Sequence, residues 1–479
     1  VRIVRLIARD ELRLMLRNRV ALIAFALIVL LTLVAVASSW SHQRAAADLR
    51  ARHQHEAEHA FDAQPDRHPH RMVHYGHFIF RPLGPLAAFD PGVDAFTGSS
   101  MFLEGHRQNT ANFGDVRQSS LLVRFGQLTP AFVLQIVAPL LLIFLGFGAL
   151  ARETERGTLG LLMLQGASRG QVVAGKLLAL GTVAVAAALP AMLGLVAIAG
   201  QPGALALPML VIALGYLLYL GLWTVLILLV SALVRRSRDA LLALVALWAV
   251  TTVLLPRAMP DVAANAVPLR NRLQTDVAIA RDLRGLGDSH NPDDPHFAQF
   301  KQGLLDRYKV TRVEDLPYNY KGLLAVEGER LTSGLFDRYA AESYGAQARQ
   351  NGLVAASGLL SPAIALRGLS MAAAGTDFAA HRRFLEQAER YRYALVQRLN
   401  RLEAEAVSYA NDTATDAGAD RRKRIAAANW QAIPDFRFVA PSGAMLVRGA
   451  LPGLTLLALW LVVAVALLAL ATRRLGARR

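Results

Sequence analysis

Apolar residues in this chain gather into six long blocks, at about 20–40, 131–151, 177–200, 207–234, 240–259 and 449–472. Each holds about 20 residues with almost no charge, enough for a helix to cross a hydrocarbon layer roughly 30 Å thick. Spanning helices satisfy their own backbone groups, so the pattern predicts an all-α polytopic membrane protein with six transmembrane helices. Residues 1–19 are basic and amphipathic. Ile3, Leu6, Ile7 and Leu14 separate from the arginines at helical period, which predicts an interfacial helix. Ala35-Val36-Ala37 resembles a signal cleavage site, but the basic region is long and the apolar run nearly spans, so it reads as an uncleaved first span.

With six spans, the Arg-rich segments 2–19, 235–238 and 473–479 fall on one side, together with the polar segment 152–176. The positive-inside rule makes that side, and both termini, cytoplasmic. Two extracytoplasmic, mainly helical insertions follow from the same count. The chain then divides into the interfacial helix (1–19), the first span (20–40), a first outer domain (41–130), spans two to five with the segment 152–176 (131–259), a second outer domain (260–448), and the sixth span with its basic tail (449–479).

The first insertion opens on a helical pattern over 41–61 and becomes Pro- and Gly-rich over 65–105, which predicts loops or short strands. In the second, helical patterns fall near 261–285, 295–309 and 320–349. Residues Phe384, Ala388, Tyr391, Leu395, Leu399, Leu402, Ala406 and Tyr409 recur at steps of three and four, marking a long helix with one buried stripe. Segment 285–295 reads as a loop, and 411–423 as another loop or a loose helix end. Residues 350–374 are apolar, but Pro362 and Arg367 interrupt them; they are expected to pack in the outer domain or rest on the membrane surface.

The most informative polar stretch is 152–176. Gly157 and Thr158 precede a short apolar helix, Gly166 is placed to end it in a left-handed conformation, and Ser168 with Gln171 forms a capping-box pattern that starts the next span. The result is a small capped helix against one membrane face. Gly170 and Gly175-Lys176 have the spacing of a phosphate loop, but Leu177 stands where the Mg²⁺-binding hydroxyl belongs and no strand precedes.

Composition adjusts this picture little. The 479 residues are 54% hydrophobic, too apolar for a typical soluble chain. The net charge of +16 is concentrated beside the spans, so topology accounts for much of it. Basic stripes with interleaved aromatics are lacking, so no nucleic-acid partner is expected. The absence of Cys excludes disulfides and thiolate metal sites. The spans carry almost no ionisable groups, which argues against ion-coupled transport.

The string Arg152-Glu153-x-Glu155-x-Gly157-Thr158-Leu159-x-Leu161-Leu162, then Ser168-Arg169 and Gly175-Lys176, resembles the cytoplasmic coupling segment of ABC exporter permeases of the second type; Gly166-Ala167 stands where that family usually has Pro-Val. Phe80-Arg81-Pro82-Leu83, Phe89-Asp90-Pro91-Gly92, the run Leu103 to Asn109, Leu360-Ser361-Pro362 and Gly375-Thr376-Asp377-Phe378 resemble a subgroup with two large extracytoplasmic insertions. The resemblance implies a multi-pass permease of the bacterial inner membrane, working with two copies of an ABC ATPase and a second permease, identical or homologous. It implies no enzyme activity and no cofactor in this chain, with ATP and Mg²⁺ on the ATPase. Glu153, Glu155, Arg156, Gly157, Thr158, Ser168 and Arg169 become the expected coupling contacts. The alternative is a non-transporting subunit that transmits mechanical work to a periplasmic partner.

Nine of the twelve histidines lie between 42 and 106. His55 and His59 are four apart on a predicted helix, and His68, His70, His74 and His77 add neighbours, a spacing able to hold a metal ion and to serve metal delivery. Their other reading is a solvated polar helix and loop. Glu104 and His106 are close enough in sequence to pair. Tyr216, Tyr219, Trp223 and Trp248 in the spans either line a path, anchor at the membrane interface or pack the core.

Overall fold

The computed structural model describes residues 2–112, 127–287, 291 and 294–475. The end of the basic tail and residues 288–290, 292 and 293 of the expected 285–295 loop lie outside the described residues. Helix α1 (Arg2–Arg17) turns at Asn18, whose side chain accepts the amides of Val20 and Ala21 and starts α2 (Arg19–Asp62). A short α3 (Pro69–Tyr75) leads into an antiparallel pair, β1 (His77–Phe80) and β2 (Ser100–Leu103), with His77 opposite Leu103. Then follow α4 (Pro130–Glu155), α5 (Thr158–Leu164), α6 (Arg169–Ile198), α7 (Ala206–Leu233) and α8 (Ser237–Ala266). The second insertion holds α9 (Arg272–Leu286), α10 (Pro295–Tyr308), α11 (Tyr320–Ala356), α12 (Pro362–Ala374) and α13 (Phe378–Ala406). Helix α14 (Gly443–Arg474) comes last.

The six helices α2, α4, α6, α7, α8 and α14 are long and apolar enough to cross a membrane, and they match the six sequence blocks. Helix α7 is the centre of the bundle, buried on most sides by α4, α6, α12 and α14. Its aromatic residues are packing and bonding groups. Residues 133–137 of α4 form a π-turn, and the nearby carbonyls of Gln135 and Ile136 accept bonds from Tyr219 (2.9 Å) and Trp248 (3.1 Å). Trp223 is fully buried beside Tyr219.

Helix α2 has 44 residues, so it is about 66 Å long, roughly twice a hydrocarbon core. The span and the helix expected over 41–61 are therefore one rod. Its outer half supports the first insertion: Gln54 accepts the Phe80 amide and Arg50 donates to the Arg81 carbonyl.

Residues 350–356 end α11 of the second insertion, but residues 362–374 differ from both placements expected for the 350–374 stretch. Helix α12 belongs to the same apolar core as the spans, wedged between α7 and α14. Close approach requires small residues: a Cβ on Gly453 would lie 2.4 Å from the Ala365 carbonyl oxygen. At 13 residues α12 is too short to span, and its buried residues surround much of the helix, so a flat surface would leave apolar area in water.

In the second insertion, α11 and α13 pack antiparallel. Gly322 lies against Ala404, and Arg392 reaches Glu329. The predicted stripe is buried at Phe384, Ala388, Leu395, Leu399 and Leu402 and half-buried at Tyr391, but α13 ends at Ala406, and Tyr409 begins a separate turn, Tyr409–Thr413. Four of the sequence strings that resemble the subgroup prove to be joints between the two insertions, while Ser361 of the fifth bonds the Thr251 carbonyl of α8. Thr376 donates to the Asp90 carbonyl, Arg81 pairs with Asp94 at 2.7 Å and reaches the Gly375 carbonyl, and Arg392 donates to the Glu104 carbonyl. Asp90 also accepts from Ser370, which contacts Tyr216, and Tyr216 contacts Gln135. A buried polar chain thus ties the first insertion to the bundle.

Candidate functional site

The end of α4 breaks at a turn over 147–150 because Ser231 of α7 intervenes. Its hydroxyl donates to the Phe147 carbonyl and accepts the amides of Leu150 and Ala151. The chain passes Glu155 and Arg156 and reverses at Gly157, whose φ of 73° is a left-handed value that favours glycine. Helix α5 ends at Gly166, also left-handed at φ 89°. The amides of Gly166 and Ala167 bond back to the carbonyls of Met163 and Leu162, the paired closure typical of a glycine-terminated helix. Ser168 then caps α6 in the reciprocal arrangement with Gln171 that the sequence predicts.

Four charged residues of this hinge, Glu153, Glu155, Arg169 and Lys176, reach neighbouring helices. Lys176, 3% exposed, bonds Glu11 of α1 at 2.8 Å and Glu153 at 3.2 Å. Thr158 donates to the same Glu153 carboxylate. Glu155 accepts from the amide and hydroxyl of Ser237, at 3.0 and 2.8 Å, and so caps the start of α8. Arg169 donates to the Arg473 carbonyl of α14 at 2.8 Å. Of the sequence-predicted coupling residues, Glu153 and Thr158 share one contact, Glu155 and Arg169 brace neighbouring helices, and Ser168 is a cap. Arg156 and Gly157 are exposed. The phosphate-loop spacing resolves into packing. Lys176 holds two carboxylates, and Gly175 lets α1 approach, since a Cβ there would meet Ile7 at 2.7 Å.

Helix α5 buries Leu159 and turns Leu161 and Leu164, 58% and 86% exposed, outward. The space beside Gly157, Gly160 and Gly166 is open among the described residues. A rigidly braced helix with an apolar tip is a surface that a protein partner can push.

Residues 5–280 match the family model described as ABC-2 family transporter protein. The chain belongs to the ABC-2 transporter family. Residues 272–439, most of the second insertion, match a Domain of unknown function (DUF3526). No curated protein matches the chain. Members of the ABC-2 family are membrane subunits without a nucleotide-binding domain of their own, and they work with ABC ATPases in a membrane complex.

The histidines of this ABC-2 permease separate into unlike groups. His55 and His59 lie on the exposed face of α2. His77 is buried, stacked on Tyr391 and edge-on to Phe61, and neither ring nitrogen has a hydrogen-bond partner among the described residues. Burial pulls its pKa down to about 4, the behaviour of a core histidine. His68 caps α3 through one nitrogen and bonds Asp412 through the other at 3.0 Å. Burial alone would raise Asp412, but bonds from His68 and Asn319 outweigh it and hold the carboxyl at about 2. Nearby Glu403 is pushed up to about 7 by burial. His70 and His74 stand together on α3, and His106 joins them from the turn after β2. Glu104 does not pair with His106; it accepts from Asn109, while the His106 amide bonds Glu329. Sequence reasoning missed Ser231, Ser237, the glutamates behind the histidines and the partners of Lys176, a residue it placed only in the family string and the phosphate-loop spacing. Lys176 had a visible signal, as a lone cation at the start of an apolar span.

Proposed function

We propose that this chain is the permease subunit of an ABC exporter, driven by a separate ATPase that presses on the hinge. The observation that carries the reading is the braced α5, with Leu161 and Leu164 outward and its flanks tied to α1, α6, α7, α8 and α14. ATP and Mg²⁺ would sit on the ATPase, which works in two copies on a pair of permeases. The hinge face and both termini would be cytoplasmic, in a bacterial inner membrane, because the Arg-rich segments gather there. Pressure on α5 would reach α1 through Glu153 and Lys176, α8 through Glu155, and α14 through Arg169.

The test is purification of the tagged chain in mild detergent. A stoichiometric ABC ATPase is expected, and Glu155→Ala or Arg156→Ala should leave the complex folded but separate ATP hydrolysis from transport. A chain that purifies alone and resists reconstitution with any ATPase, or variants that transport normally, would remove the reading. A second reading, mechanical work on a periplasmic partner, is favoured by α2, which continues without a break from the bundle into the first insertion. A complex that hydrolyses ATP, moves no cargo and loses function when the second insertion is altered would favour it.

A further inference from the structure

We propose that His70, His74 and His106 form a binding site for a divalent first-row transition metal ion of the zinc or copper(II) kind. It lies in the first insertion, against α11 and α13 of the second.

The pair on α3 comes from local structure. His68 caps the helix and Pro69 sets its first turn, so His70 and His74 project from one face. Their Nε2 atoms are 3.1 Å apart. Two nitrogens bound to one tetrahedral zinc at about 2.05 Å are about 3.3 Å apart, so little movement separates this pair from a chelate. The third ring is brought in by an unusual backbone. His106 has φ 60°, a left-handed value uncommon for a residue with a side chain. It is held there by its amide, which donates to Glu329 at 2.9 Å, and by Gly105, whose missing Cβ would collide with Val73 of α3. One ring nitrogen of each histidine lies within 4.8 Å of the other two.

Carboxylates stand behind two of the rings. His70 Nδ1 lies 3.7 Å from Glu403, and His106 Nδ1 lies 3.4 Å from Glu329, both of them buried. A carboxylate on the far nitrogen fixes the tautomer, orients the ring and raises its basicity, the usual second layer of a histidine metal site. For His70 the near nitrogen left to the cluster is Nε2, the one facing His74. Imidazole donors favour zinc, copper or nickel over magnesium or calcium. His74 is exposed and the other two rings are half-buried, so a fourth position is open to water or a ligand, unlike the closed sphere of a structural zinc. This site is distinct from His55 and His59, and it depends on the second insertion for both carboxylates.

The test uses the full chain in detergent, with a tag free of histidine, stripped with EDTA and titrated with Zn²⁺ against a chromophoric chelator. One tight zinc per chain is expected. His74→Ala and His106→Ala should each weaken binding at least about tenfold, Glu403→Gln by about 10- to 100-fold, and His55→Ala/His59→Ala not at all. If His106→Ala does not fold, His74→Ala, at an exposed position, carries the test. Zinc that competes no better than with an unfolded chain, or binding unchanged in His74→Ala, would overturn the site. So would binding lost in His55→Ala/His59→Ala. The readout is metal on the chain itself, independent of any ATPase.

Discussion

Lys176 at the hinge and Arg392 in the second insertion are both buried cations that draw carboxylates from more than one element. Only the partners of Lys176 reach water. Glu11 and Glu153 are 18% and 24% exposed, whereas Glu329 and Glu389 around Arg392 are 0% and 9% exposed. Arg392 also bonds Ser333 and the Glu104 carbonyl, so its donors are shared among α11, α13 and the first insertion. The difference teaches how one chemistry serves two ends. A sealed, fully bonded ion cluster fixes two insertions to each other, since opening it would strand charge in a low dielectric. A cluster at the water's edge joins helices that can part at modest cost, because water replaces the lost partner.

The largest effect that follows is at Arg392. Arg392→Ala strands Glu329 and Glu389 and should cost about 3–5 kcal/mol, seen as a large drop in the thermal midpoint of the purified protein. A neutral result would erase the contrast between the two clusters. Lys176→Met should cost less, about 1–3 kcal/mol, because both glutamates can turn to solvent. Its signature is release of α1, measured as faster proteolysis at Arg5, Arg9 and Arg13, with the insertions still protected.

A smaller effect sharpens the sealed side. Folded His77 titrates at about 4, against 6.5 in an unfolded chain. Between those values the unfolded chain binds the extra proton, so stability falls as pH falls from 6.5 and levels off below about 4. His381, lowered to about 4 by burial and by Arg81, acts in the same direction. Glu403, raised to about 7 by burial, acts oppositely as pH rises from 4.5. The informative quantity is therefore a difference. His77→Phe keeps a ring beside Phe61 and Tyr391, and should remove about 1 kcal/mol of the loss between pH 6 and pH 5. An unchanged acid sensitivity would show that His77 is not sealed.

The two regions were unequally legible. The six spans could be read because a block of about 20 apolar residues has few structural uses. The hinge caps could be read because Ser168, Gln171 and Gly166 act within one turn of their partners. What the hinge is tied to was hidden, since Glu11 and Lys176 are 165 residues apart. Helix α12 was ambiguous for another reason: an apolar segment too short to span can pack in a bundle, a domain or an interface, and only its small-residue contacts with Gly215 and Gly453 decide. Among the histidines, spacing favoured His55 and His59 as readily as His70 and His74. The choice depends on the left-handed turn at His106 and on carboxylates from the second insertion, neither of which has a local signal.

The central claim, that α5 is where a separate ATPase presses, is tested most directly by proximity. The chain has no cysteine, so Leu164→Cys introduces a single thiol at the exposed tip of the hinge. Val439→Cys places one at an exposed position of the second insertion. In the complex purified with its ATPase, a short thiol cross-linker should join the ATPase to the chain through Leu164→Cys and not through Val439→Cys. An intact complex with no adduct at Leu164→Cys, or equal adducts at both positions, would contradict the account.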